Sequence, residues 1–167
     1  MTKPFAAIAA ALAYMACIPL ANWMIVQFGI VPIGFGLMAP AGVFAAGLAF
    51  GARDMVQRLA GRGVTLAAIA AGVALSFLVA SPALAVASAV AFGVSELLDM
   101  AVYTPLERRS LAGAVALSNT VGAVVDSVIF LWLAFGSLAF LPGQVAGKLL
   151  MILPALVAVL AIRHREA

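Results

Sequence analysis

The stretch from Pro4 to Ala52 carries no charged residue, and it limits what this chain can become more than any other feature. A helix crossing a bilayer needs about 20 apolar residues at ~1.5 Å of rise each, so this stretch is long enough for two and must break between them. Water is an unsuitable solvent for such a chain. Of its residues, 66% are hydrophobic and 9% charged, and the mean hydropathy is +1.24, which leaves too little polar surface to cover a globule. In lipid every backbone polar group must be satisfied within the protein, so helices or a closed barrel are the remaining choices. The apolar runs are continuous and rich in Ala, Leu and Val. They lack the alternation of barrel strands, and the reading is therefore helical.

Gln27, Gly29 and Pro32 punctuate the first stretch, giving spans at about 4–24 and 34–52. Ser81 and Pro82 divide the next into about 63–80 and 82–104, and a fifth span follows at about 113–135. After a turn over 136–143, the last span, about 143–162, carries Lys148 and Pro154 and ends in Arg163, His164 and Arg165. The run Phe5 to Leu20 is followed by Asn22 and Trp23 rather than a small-residue cleavage site, so it reads as the first span and not as a signal peptide. Between spans the longest polar segment is Arg53 to Arg62, too short for a soluble domain. The expected fold is an all-α integral membrane protein, a compact bundle of six transmembrane helices with short loops, forming one membrane domain over residues 1–167. Cys17 is the only cysteine, which excludes a disulfide or a cysteine-ligated metal within one chain.

The basic residues set the orientation. Lys3 precedes the first span; Arg53, Arg58 and Arg62 follow the second; Arg108 and Arg109 follow the fourth; Arg163 and Arg165 follow the last. The intervening loops carry no Lys or Arg, so the positive-inside rule places both termini in the cytoplasm, N-in and C-in. The net charge of +3 is thus a topology signal and gives no reason to expect nucleic acid as a partner.

Charges at membrane depth cost roughly 2.5–3.5 kcal/mol each on insertion scales and tend to mark a pathway or site. Four stand out: Glu96, Asp99, Asp126 and Lys148. Counted from the outer helix ends, they lie about 21, 25, 15 and 8 Å deep respectively. Glu96 and Asp99 share a helical face that Tyr103 continues, and Asn119, Gly122 and Asp126 form a second polar stripe on the fifth span. A short loop joins these two spans, which makes them antiparallel neighbours with Asn119 near the level of Asp99. Lys148 can reach Asp126, or it can snorkel to the outer surface. Asp99 is near enough to the cytoplasmic interface to be solvated or paired with Arg108. Arg53 and Asp54 are candidates for a gate or a cytoplasmic ion pair, and Asn22 either lines an entrance or caps an irregular segment. No metal site or cofactor is expected.

At this point the chain resembles the queuosine precursor transporter family, also called the vitamin uptake transporter family. The resemblance rests on Ser95-Glu96-Leu97-Leu98-Asp99 with Tyr103, and on Ser118-Asn119 with Gly122 and Asp126-Ser127. Weaker matches are Ala21-Asn22, Arg53-Asp54 with Arg58 and Gly61, and Lys148. One departure is Glu96, where family members often carry Gln; an acid there accepts a hydrogen bond in the same place or carries a proton. The resemblance implies uptake of 7-cyano- or 7-aminomethyl-7-deazaguanine across the cytoplasmic (inner) membrane, with no enzymatic activity. It implies a substrate site of Glu96, Asp99, Asn119, Asp126, Lys148, Asn22 and Tyr103. Glu96 or Asp126 would read the donor edge of the base, Asp99 and Asn119 would complete the site, and Lys148 would balance charge or bind the carbonyl. Phe92, Tyr103, Phe130 and Trp132 are candidates to stack on the ring, or to pack against lipid.

Two other functions fit parts of the pattern. A substrate-binding subunit similar to the S components of energy-coupling-factor transporters would need an energising partner complex, since the chain contains no P-loop. An intramembrane lipid-modifying enzyme could use two acids on one helix to hold a divalent cation, but no histidine falls within a span and no nucleophile has an evident base. The small-molecule substrate and the lipid bilayer are the expected partners, with a homo-oligomer left open.

Overall fold

A computed structural model describes residues 3–79, 82–154 and 157. Helix α1, Lys3–Phe28, leads into a hairpin of β1, Ile30–Gly34, and β2, Leu37–Pro40. Then follow α2, Val43–Val79, α3, Pro82–Leu106, α4, Leu111–Phe135, and α5, Leu141–Leu150. Four of these helices, α1 to α4, are long and apolar enough to cross a membrane. The chain is a helical, multi-pass membrane protein.

Among the described residues, five helices stand where six spans were expected. The second and third expected spans are joined in the 37-residue α2, whose backbone leaves helical geometry at Gly61 (φ 80°, ψ 172°). Positive φ is nearly free of strain for glycine, so Gly61 lets two helical segments meet end to end without a loop. The described part of the sixth expected span is short, and residues 155, 156 and 158–162 lie outside the described residues, as do the turn residues 80 and 81 and the basic tail.

The first break also differs from expectation. Helix α1 continues to Phe28, and residues 34–42, expected to open the second span, instead form the hairpin tip, β2 and a turn. Pro32, Gly34 and Gly36 explain this: proline removes a backbone donor, and Gly34, Phe35 and Gly36 all take positive φ at the tip. Asn22, one candidate to cap an irregular segment, accordingly lies inside α1.

The hairpin pairs Ile30 with Pro40 and Val31 with Ala39, and its register shifts between Pro32 and Gly34. Its return strand packs on α5, so the backbone comes close enough at Gly143 that a Cβ there would meet the Met38 carbonyl oxygen. Irregular backbone in a membrane protein needs such cover.

Helix α4 is bounded by its own sequence. Ser110 is its N-cap and accepts from the Gly113 backbone N–H at 3.1 Å, and Gly136 ends it in the left-handed region. Helix α1 packs along α2, and α3 along α4, as the short 107–110 connection requires. Buried faces are made largely of Ala, with Tyr14, Phe92, Phe130 and Leu131 filling between them, while Phe5, Ile8, Leu12 and Trp132 point outward. That inversion is what lipid solvation produces.

Candidate functional site

Helix α3 presents Ser95, Glu96, Asp99 and Tyr103 on one buried face, as spacings of three and four dictate. Into this face α2 inserts Arg53, which has no exposed surface. Its Nη1 lies 2.9 Å from Asp54 Oδ1, its Nε donates to Glu96 Oε2 at 3.2 Å, and its Nη2 pairs with Asp99 Oδ1. One guanidinium thus serves three carboxylates, each met by a different nitrogen of its planar fork, a spread that the single nitrogen of a lysine lacks. Tyr103 packs beneath it, with the guanidinium carbon 5.4 Å from the ring centroid. Asn119 joins the cluster from α4: oriented with its nitrogen toward the acids, it donates to Asp99 Oδ2 and Asp54 Oδ2, both at 3.1 Å. Arg53 also donates to Gln57 Oε1 at 3.4 Å, and Gln57 in turn donates to Thr104 Oγ1 at 3.2 Å.

A second ion pair ties α5 to α4. Lys148 Nζ bonds Asp126 Oδ2 and donates to Ser127 Oγ at 2.9 Å, while Ser95 Oγ donates to Asp126 Oδ1 at 3.4 Å. Lys148 is 1% exposed, so it turns inward rather than snorkelling to the surface. Glycines let the helices close around it. A Cβ on Gly47 would sit 2.9 Å from Lys148 Cα, and one on Gly122 would sit 2.8 Å from Phe50 Cε1.

Above the arginine cluster lies a small cavity with an open mouth and about 50 Å³ of free space inside it. It lies toward the end of the bundle that carries the hairpin and the α4–α5 turn. Phe50, Phe92 and Phe130 give it flat apolar walls, and Asn22, Ser88, Glu96, Asp126 and Gln144 give it polar ones. Ser88 Oγ donates to Asn22 Oδ1 at 2.7 Å. Three buried atoms of this wall have no hydrogen-bond partner among the described residues: Asn22 Nδ2, Glu96 Oε1 and Gln144 Oε1. Leaving buried polar atoms unmatched is costly, and their collection around one cavity makes it the candidate site for a molecule with complementary groups.

The residues singled out from the sequence fall into two layers. Asn22, Glu96 and Asp126 line the cavity. Asp99, Asn119, Arg53, Asp54 and Tyr103 form the cluster below it, and Lys148 stands behind Asp126. Asp99 pairs with Arg53, and Asn119 and Lys148 spend their donors on carboxylates. Of the aromatic candidates, Phe92 and Phe130 face the cavity, Tyr103 faces Arg53, and Trp132 is 62% exposed on the outside.

Sequence reasoning missed Gln144, Ser88, Phe50 and Tyr14. Gln144 had a signal, because it precedes Lys148 by one helical turn and shares its face. Ser88 and Phe50 had none that separates them from ordinary packing residues. Tyr14 is fully buried on α1, with its ring centroid 5.7 Å from that of Phe92.

Residues 76–162, a little over half of the chain, match a family described as "Putative vitamin uptake transporter". No curated protein and no solved structure matches the chain.

Proposed function

The chain belongs to the vitamin uptake transporter family, and on that premise we propose that it takes up a queuosine precursor, 7-cyano- or 7-aminomethyl-7-deazaguanine, across the cytoplasmic membrane. The observation that carries this reading is the aromatic cavity with its three unmatched polar atoms. A guanine-like base is flat, so it fits between phenylalanine faces. It presents N1–H and the 2-amino group as adjacent donors, which Glu96 Oε1 and Gln144 Oε1 are free to accept. It also presents acceptors, for which Asn22 Nδ2 is the unengaged donor on the wall.

The loop charges support six spans with both termini in the cytoplasm. In that orientation α2 counts twice, bending at Gly61, and the cavity opens outward. The Arg53–Asp54–Asp99–Asn119 cluster then closes the route to the cytoplasm. Substrate enters from outside, rests above the cluster, and passes inward when the cluster parts.

The test is uptake of radiolabelled precursor, or the queuosine content of tRNA, in cells lacking other transporters for it. Glu96→Ala and Asp126→Ala are each expected to lower uptake at least tenfold at normal expression, since each removes a polar wall group. Unchanged uptake in both variants would refute the residue assignments.

A further inference from the structure

We infer that Glu96 is a proton-binding site, and that it takes up a proton from the cavity together with a base bearing a lactam edge. The inference rests on the substrate reading above only for the identity of the base.

The starting point is a charge count. Arg53 is ion-paired to Asp54, Glu96 and Asp99, and all four are fully buried. Arg58 lies one turn from Asp54 on α2. If its whole charge is assigned to Asp54, Arg53 still faces two carboxylates. Lys148 gives no relief, because it is matched one to one with Asp126. The other groups facing Glu96 are neutral in their ordinary forms: the Tyr14 hydroxyl and Cys17 thiol from α1. At least one buried carboxylate is in surplus, and an uncompensated buried charge neutralises itself by binding a proton.

Geometry selects which one. Asp54 and Asp99 each face Arg53 and also accept an N–H from Asn119, and hydrogen bonds to a carboxylate favour its charged form. Asp126 holds Lys148 and Ser95. Glu96 has the single Arg53 Nε contact at 3.2 Å, made through Oε2. Its Oε1 has no partner among the described residues and the residue lines the cavity, so of this set it is the carboxylate that presents an unmatched oxygen at the cavity wall. Among the described residues no group of three or more His, Cys, Asp or Glu side chains is placed to hold a metal ion.

A neutral carboxyl and a lactam are complementary. The carboxyl's carbonyl oxygen accepts the ring N1–H, and its O–H donates to the ring carbonyl O6. The proton therefore improves base binding, and the base in turn favours the protonated acid, because linkage between two ligands is reciprocal. Protonation also removes the charge that holds Glu96 to Arg53, loosening the cavity floor as the site fills. The balance is one proton in from the outer solution and one released to the cytoplasm for each base carried, with no covalent bond to the base made or broken.

The experiment uses the full chain reconstituted in liposomes, with the membrane potential clamped and neutral 7-cyano-7-deazaguanine as the probe. In substrate-free protein, infrared difference spectra across neutral pH are expected to show a protonated carboxylic acid that Glu96→Gln removes. With substrate, the equilibrium accumulation ratio is expected to rise about tenfold per unit of inside-alkaline pH gradient, the value for one proton per base. Absence of the Glu96 band, a ratio indifferent to the pH gradient, or accumulation driven by sodium instead would each overturn the inference. If the Glu96 band is present but the deazaguanine does not accumulate under any gradient, the proton site stands and the substrate reading falls.

Discussion

Arg53→Ala is expected to be the most damaging single substitution in the protein, abolishing uptake and lowering stability by about 3–5 kcal/mol, the usual cost of removing one partner from a buried ionic group. The reason is the sharing of one guanidinium among three acids. Without it Asp54, Glu96 and Asp99 face one another inside the bundle and lose the cation that all three share. Arg53→Lys is not expected to rescue, because an ammonium carries its three donors on one nitrogen, whereas Asp54, Glu96 and Asp99 are met at Nη1, Nε and Nη2 of the planar guanidinium. By contrast, a variant that removes all four charges, Arg53→Met with Asp54→Asn, Glu96→Gln and Asp99→Asn, is expected to recover most of the lost stability but no transport. Thermal midpoints and monodispersity in detergent check the first point, and liposome uptake the second. A stable, active Arg53→Ala protein would show that the cluster is neither gate nor structural centre.

The second large effect concerns Lys148. Lys148→Met strands the Asp126 carboxylate in the cavity wall with only Ser95 as donor. Asp126→Asn in turn leaves the buried ammonium with Ser127. Each single change is expected to destabilise the protein strongly, whereas the double variant Lys148→Met with Asp126→Asn is expected to be more stable than the sum of the two, with a coupling of about 1–3 kcal/mol. The same pair bridges α4 and α5, so the singles should also loosen α5, which faster hydrogen exchange over 141–150 would register. Strict additivity would mean that the two side chains do not hold each other.

Much of this arrangement could be read from the chain, for identifiable reasons. Lipid imposes a length and polarity rule on each span, so the helices from Pro82 to Leu106 and from Leu111 to Phe135 lie close to their expected places. The pairing of these helices followed from a short loop, and depth counting put Asn119 near the level of Asp99 and Lys148 within reach of Asp126 while leaving a snorkelling Lys148 and a solvated or Arg108-paired Asp99 open. What failed was local backbone chemistry. Gly61 joins two helices where charged residues implied a loop, and the positive-φ residues Gly34, Phe35 and Gly36 fold an apolar stretch into a hairpin that hydropathy alone reads as helix.

The candidate site was legible in its charges and obscure in its shape. An acid at membrane depth announces itself, because burying it is costly. A cavity does not, since Phe50, Ser88 and Gln144 become a wall only when helices from distant parts of the chain come together. For the same reason the sequence grouped Asp99, Asn119 and Tyr103 with the substrate. In the folded protein their hydrogen-bonding and ring contacts are directed at Arg53 and its acids, below the cavity.

The central claim is that a 7-deazaguanine occupies the cavity above Arg53. Calorimetric titration of the purified protein with the two queuosine precursors, guanine and an unrelated vitamin tests it most directly, with Ala46→Trp as a variant that fills the cavity from α2. Saturable binding of a precursor to the native chain, at least tenfold weaker in the filled variant, is the predicted result. No binding of either precursor, or equal binding in both proteins, would contradict it.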